Sequence, residues 1–383
     1  MRRYALSVLL TALVFQASPV SAAQNDSLLR PKVKFLYDVD FEYVLDNAEY
    51  DHSKGYYEPS STLHALRLKP GIGLRVNQDG GKILHTLFAS LSFYHDFGMP
   101  GFDIKKLINE ANIFYRVDAR LGPGEFSGIA GWFPRNFMEG AYTGAFFSTR
   151  NVFTDNSLEG LFFKYRMPNL YAELGLDWLG LQTGNSRERF RILSAGEYKF
   201  PYGLSACWAA HLFHFACSET AKNVVDNSMV HLYAKWAVPW TPLQQLDVTL
   251  GAIATYQWDR ASRDSRTLPF GFQSDQTARM WDAGIRNSFY YGQDLMPFFG
   301  VADYGAPYAR DLYFGEIFYH THIKGFSFYD RLEAFYEPHI FPWLDLRVAI
   351  VLHLGNPTSL YPAFRGWQQI VALRFNLDKL LRK

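Results

Sequence analysis

Between Ala111 and Leu121 every second residue is apolar: Ala111, Ile113, Tyr115, Val117, Ala119 and Leu121. The residues between them are Asn112, Phe114, Arg116, Asp118 and Arg120. Side chains alternate across a strand, so this stretch has one greasy face and one largely charged face. The pattern recurs to the end of the chain. Two architectures accept it. A soluble sandwich buries the apolar face and turns its charges to water. A membrane barrel turns the apolar face to lipid and encloses the charges in a wet lumen.

The N-terminus has the form of a secretory signal. Arg2 and Arg3 precede the apolar run Ala5–Phe15, which is too short to span a bilayer comfortably. Val20-Ser21-Ala22 and Ser21-Ala22-Ala23 both read as cleavage sites. Residues 1–23 are therefore expected to be removed, and 24–383 to form one domain. No later stretch approaches the ~18–20 continuous apolar residues of a transmembrane helix. Mean hydropathy, -0.14, is in the range of soluble proteins. Yet Phe, Trp and Tyr make up 17% of the chain, and aromatics favour strands and membrane interfaces. A formal net charge of +1 argues against a general polyanion binder, so no nucleic-acid partner is expected. Export permits a disulfide. On one extended strand, however, Cys207 and Cys217 stand about 33 Å apart, whereas a bridge needs Cα atoms within ~7 Å. Two thiols, free or tied by a loop, are expected.

Lys32–Val44, Leu66–Val76, Leu170–Trp178, Val230–Val238, Leu246–Trp258 and Leu344–Leu354 alternate in the same way. Stretches at 83–95, 125–134, 158–167, 188–200, 203–216, 278–290, 295–303, 311–323 and 326–337 do so less cleanly. Trp367–Leu377 is the last. Short connections carry turn chemistry: Asn77–Gly81, Pro123-Gly124, Pro168-Asn169, Pro201–Gly203 and Pro239–Pro242. Long ones fall at 45–60, 97–109, 136–156, 217–228 and 259–276. Over the first two-thirds of the chain the two kinds alternate, as in an up-and-down membrane barrel with tight periplasmic turns and long outer loops. A sandwich has no reason to sort its loops. Strand number in a single-chain bacterial barrel is even. Assigning 295–303 to a connection gives about 16 strands, and pairing of Ala141–Ser148 gives roughly 18. The expected fold is all-β: a transmembrane antiparallel barrel of about 16 strands.

Over essentially its whole mature length the chain resembles porin-like bacterial outer-membrane β-barrels. The likeness is one of pattern and names no subfamily. It departs at one signature: many such barrels end on an aromatic residue read by the assembly machinery, whereas here Phe375 is followed by Asn376–Lys383. The resemblance implies residence in the bacterial outer membrane and contact with its lipid. It further implies passage of a small polar solute, no cofactor, and a fold that allows homo-oligomers.

The non-apolar faces hold the candidate selectivity residues. Arg187, Arg189 and Arg191 share a face at period two. Arg116 and Arg120 flank Asp118 on a second strand, and Arg67 and Arg75 lie on a third. Asp38, Asp40 and Glu42 form an acidic ladder on the first. Opposed charges in a pore steer and filter ions or polar solutes, although any wet lumen also needs charge merely to hydrate it. The stretch 136–156 is too apolar for a solvated loop, with Phe137, Tyr142, Phe146 and Phe147 among its aromatics. A loop folded inward to narrow the barrel accounts for it. Trp132, Trp178, Trp236, Trp240, Trp258, Trp343 and Trp367 fall near strand ends, where interface belts place them.

Two other function classes fit the same wall. One is a barrel that exports or anchors a surface polysaccharide. The other is an outer-membrane lipid hydrolase, which needs a serine–histidine pair. His211, Ser205 and Ser194 are present, but no spacing singles them out and no G-x-S-x-G occurs. His320 and His322 share an expected strand face with Glu316, a weak divalent-metal candidate without zinc-motif spacing. No metal is expected.

Overall fold

The computed structural model describes residues 33–50, 60–98, 108–220, 224–240, 242–260, 265–299, 302–303, 306–307, 310–359 and 361–377. The expected signal, 1–23, and parts of the expected long loops lie outside the described residues.

The wall begins with β1 (Val33–Tyr50), β2 (Ser61–Gln78), β3 (Ile83–Asp96), β4 (Ile108–Leu121), β5 (Gly124–Pro134) and β6 (Ser157–Arg166). It continues with β7 (Leu170–Gly180), β8 (Arg189–Lys199), β9 (Leu204–Phe215), β10 (Val225–Ala237) and β11 (Gln245–Asp259). A short strand, β12 (Ser265–Thr267), pairs with the end of β11 and precedes β13 (Phe270–Met280) and β14 (Ala283–Gly292). Two short segments, β15 (Ala302–Asp303) and β16 (Ala306–Pro307), pair only with each other. The wall resumes with β17 (Ser327–Tyr336), β18 (Leu344–Gly355) and β19 (Phe364–Asn376). Each wall strand is antiparallel to its neighbours, and β1 pairs with both β2 and β19. The result is a closed 16-strand barrel. Closure leaves no sheet edge, which lipid requires.

Connections sort by end. At one end the turns are tight, as at 122–123, 167–169 and 281–282. At the other they are long, with 135–156 and 293–326 the longest that carry described structure throughout or nearly so. In outer-membrane barrels the short-turn end faces the periplasm.

The alternation seen in the sequence becomes inside and outside. Ile113 (61% exposed), Leu232 (60%) and Leu250 (61%) stand on the outer wall, the face that meets lipid in membrane barrels. Residues an odd number of steps away on the same strands, Asn112, His231 and Ile253, are buried inside. A soluble sandwich does the reverse with its apolar face.

The strand number agrees with the count of sixteen, but two of the constituent stretches differ. The candidate 278–290 is a hairpin, with β13 and β14 meeting at Trp281-Asp282. Trp281 takes φ 54 there, a turn conformation that Gly or Asn usually signals, so the sequence carried no mark of it. The candidate 311–323 is not a wall strand; it holds two short 3-10 turns inside the long connection 293–326. Nor does Ala141–Ser148 pair into the wall, so the 18-stranded alternative does not occur. Cys207 and Cys217 are both free.

Candidate functional site

Two long connections enter the barrel. The first, 135–156, leaves and rejoins the wall at one point: the Arg135 amide donates to the Asn156 carbonyl at 2.8 Å. Arg135 Nε donates to the Asp155 carbonyl at 2.6 Å, and its Nη2 pairs with the Asp155 carboxylate. Within the segment, Ser148 Oγ accepts from the Asn151 amide at 3.1 Å and caps the short helix Thr149–Thr154.

Wall residues hold this segment by hydrogen bonds. Glu173 accepts from the amides of Glu139 (2.9 Å) and Gly140 (3.0 Å) and from the Tyr142 hydroxyl (3.0 Å). Arg150 Nε pairs with Asp46 at 2.8 Å, and Arg67 donates to the Phe153 carbonyl. Glu139 pairs with Lys164 and Arg166. Burial works to raise the Glu139 carboxyl, but the bonds and charges of Lys164 and Arg166 prevail and hold it below the usual range.

The second segment, 293–326, crosses from the β14–β17 side. Tyr319 Oη donates to Gln273 Oε1 at 3.0 Å, and Asn227 Nδ2 donates to the Leu312 carbonyl. Phe318 packs on His353 and Tyr50, with ring centroids at 4.5 and 5.2 Å.

The two segments meet inside. The Ser148 amide donates to the Phe314 carbonyl at 2.8 Å, and the Glu316 amide donates to the Gly144 carbonyl at 2.7 Å. A Cβ on Gly315 would stand 2.1 Å from the Ala145 carbonyl oxygen, so only glycine permits this approach. The Glu316 carboxylate accepts from the Thr149 amide at 3.3 Å. Burial holds its carboxyl above the usual range, against the opposing charge of Arg331.

Around this junction Phe146, Phe147, Leu295, Met296, Phe318 and Tyr319 form one buried cluster with inward wall residues such as Phe133, Tyr290 and Tyr329. Fully burying one such ring is worth roughly 1.5–3 kcal/mol. The cluster is a packed plug seated in the lumen.

On the short-turn side of the plug the lumen opens. One cavity of about 660 Å³ lies against β1–β4. A second, about 430 Å³, shares Arg75 and Arg116 with it and reaches Lys82 and Arg120. A third, about 390 Å³, faces the β18–β19 wall. A charged network borders the third cavity, which Arg279, Glu337 and Arg347 line. Glu333 pairs with Arg331 (2.8 Å), Arg286 (3.2 Å) and Arg347. Glu337 pairs with Arg279 (3.2 Å), Arg286 (3.3 Å) and Arg347. None of these residues was singled out by sequence; reading 278–290 as one strand put Arg279 and Arg286 on opposite faces and so hid the face they share.

The anticipated residues fall in three places. Arg116, Asp118, Asp38 and Asp40 line the cavities, with Arg116 pairing Asp118 at 2.7 Å. Arg120 lines the second cavity, and Glu42 the third, where it pairs with Arg67 (3.2 Å) and Arg374. The arginine ladder is different. Arg191 is fully buried against the plug, paired with Asp177 (2.7 Å) and Asp155 (2.9 Å). Arg189 donates to the Leu179 carbonyl at 3.3 Å. Arg187 precedes β8 and donates to the Ala216 carbonyl at 3.1 Å, so it is a loop residue and no rung of a wall ladder. In the first inward segment Phe146 and Phe147 are core, Tyr142 is tied to Glu173, and Phe137 packs on Phe114 with centroids at 5.3 Å.

Glu316, His320 and His322 do not share a strand face, because their segment is not a strand. His320 Nδ1 instead lies 2.8 Å from Asp294. Among the described residues no group of three or more His, Cys, Asp or Glu could hold a metal ion.

No family model matches the sequence. No curated protein matches it. Solved structures do. An in-vitro folded OmpT, an outer membrane protein of Vibrio cholerae, superposes with TM-score 0.53 at 9% identity, covering 90% of this chain and 97% of that one. Its trimer form gives 0.52 at 9% identity, covering 90% and 99%. The outer-membrane expressed form gives 0.50 at 9%, covering 90% and 98%. Identity this low speaks to the fold alone, and on that ground the chain folds as a closed sixteen-stranded antiparallel β-barrel similar to those of these outer-membrane proteins.

Proposed function

We propose that the protein is an outer-membrane channel for small polar or charged solutes, narrowed by two inward segments. The observation that carries this reading is the half-open charged cavity of about 660 Å³ along the wall below the plug. A structural anchor has no need of a wet lumenal space lined by Arg75, Arg116, Asp38 and Asp40. Selectivity then belongs to these lumenal charges and to the Glu333–Glu337 network, which bias diffusion electrostatically. Arg191 serves as an anchor for the plug. Assembly as a homo-oligomer fits the same reading, since one of the similar structures is a trimer form.

Proteoliposomes carrying the full chain should swell in isotonic solutions of small polar solutes such as glycine or arabinose. Swelling should fall off for solutes of oligosaccharide size. Swelling no faster than that of empty liposomes for every solute contradicts the reading.

A further inference from the structure

The β1–β4 wall is layered along the barrel axis. In register across the four strands lie Lys34, Arg75, Thr86 and Arg116, a cationic row. One inward step further from the periplasmic end lie Leu36, Gly73, Phe88 and Phe114, an apolar row. The next holds Asp38, Gly71, Ser90 and Asn112, an acidic and polar row. The 660 Å³ cavity touches all three rows.

Two features mark this layering as more than hydration. Lys34 stands directly opposite Arg75, and like charges across a strand pair are destabilising. Arg116 pairs with Asp118 at 2.7 Å, while Arg75 donates to Thr86 Oγ1 at 3.2 Å, so this one carboxylate stands against the three cations of the row and an excess of positive charge remains. Between the charged rows, Phe88 lies flat on the wall because its neighbours are glycines. A Cβ on Gly71 would stand 2.5 Å from the Phe88 ring, and one on Gly73 would stand 2.6 Å from it. Phe114 and Phe137 extend this apolar surface, with centroids 5.6 Å from Phe88 to Phe114 and 5.3 Å from Phe114 to Phe137.

We propose that this three-layered pocket binds a small zwitterion whose carboxylate and ammonium groups flank an apolar ring or short chain. The carboxylate meets Arg75 and Arg116, the apolar body lies on Phe88 and Phe114, and the ammonium meets Asp38. The charged rows are four residues apart, about 13 Å along the wall. An arginine side chain swung from its present partner toward the acidic row on binding shortens that span to about the length of a single substituted ring. The proposal rests on reading the lumen as a route for small polar solutes and names the solute class it favours.

The test is equilibrium binding to the full chain in detergent micelles, by calorimetry, with three probes: 4-(aminomethyl)benzoate, benzoate and benzylamine. The zwitterion should bind at least about tenfold more tightly than either singly charged analogue, a difference of about 1.4 kcal/mol. Asp38→Asn should lower zwitterion affinity to that of benzoate, and Arg116→Gln should lower it to that of benzylamine. Equal binding of the three probes, or none, overturns the proposal, and this wild-type comparison stands even if a variant fails to fold. Because binding is measured without a bilayer, the two readings separate. Liposome swelling without zwitterion preference removes only the pocket. Preference without swelling removes only the channel.

Discussion

The Ser148 amide donates to the Phe314 carbonyl at 2.8 Å, joining two segments far apart in sequence inside the lumen. Together the two segments form the plug. On the proposed channel function, what passes the barrel depends on the strength of this junction.

Gly315→Val tests the junction sterically. Even the first added carbon overlaps the Ala145 carbonyl, and overpacking of this kind costs about 1–3 kcal/mol. Hydrogen exchange at the Ser148 and Glu316 amides should speed up by roughly ten- to a hundredfold, while exchange in β1–β4 stays unchanged.

The junction should also respond to pH through Glu316. Burial raises its carboxyl in the docked state, with Arg331 and Arg150 opposing and Asp46 adding to the rise. The docked state therefore binds its proton over a wider range than the undocked state. Docking is strongest below the ordinary carboxylate range and weakens as pH climbs through the raised value. Exchange protection at the Glu316 amide, corrected for intrinsic rates, should be greater at acidic than at neutral pH. Glu316→Gln should abolish the difference.

Arg191 and Asp177 form a buried pair whose loss is asymmetric. Asp177→Asn leaves a fully buried guanidinium with Asp155 as its remaining partner, and breaking such a pair costs about 3–5 kcal/mol. Denaturant unfolding in micelles should show this loss. The double variant Arg191→Met, Asp177→Leu should be less damaged than either single change, since apolar replacement removes both charges.

Glu333 and Glu337 hold four arginines among them: Arg279, Arg286, Arg331 and Arg347. Neutralising both, as Glu333→Gln with Glu337→Gln, uncovers positive charge in the lumen. The reversal potential in a salt gradient should shift toward anion selectivity. A shift toward cations contradicts the lumenal placement of this network.

Much of the wall was legible because lipid and lumen impose a period of two that turns cannot disguise. Ile113 and Tyr115 outward with Arg116 and Asp118 inward follow directly from it. The rest was hidden for specific reasons. Trp281 at a tight turn reads as strand, so β13 and β14 looked like one element. The stretch 311–323 is rich enough in aromatics to mimic a wall strand, yet Phe318 and Tyr319 are both buried in the plug, which alternation across a lipid-facing wall forbids. These two errors offset each other in the strand count. The apolar character of Phe146 and Phe147 pointed inward, but nothing in the sequence paired that segment with Phe314 and Glu316. Long-range pairing of irregular segments leaves no periodic trace.

Single-channel recording in planar bilayers tests the central claim most directly. The full chain should insert as discrete ion-conducting steps, and Gly315→Val should give larger steps or longer openings by loosening the plug. An inserted barrel that carries no current, in the wild type and in Gly315→Val alike, contradicts the account.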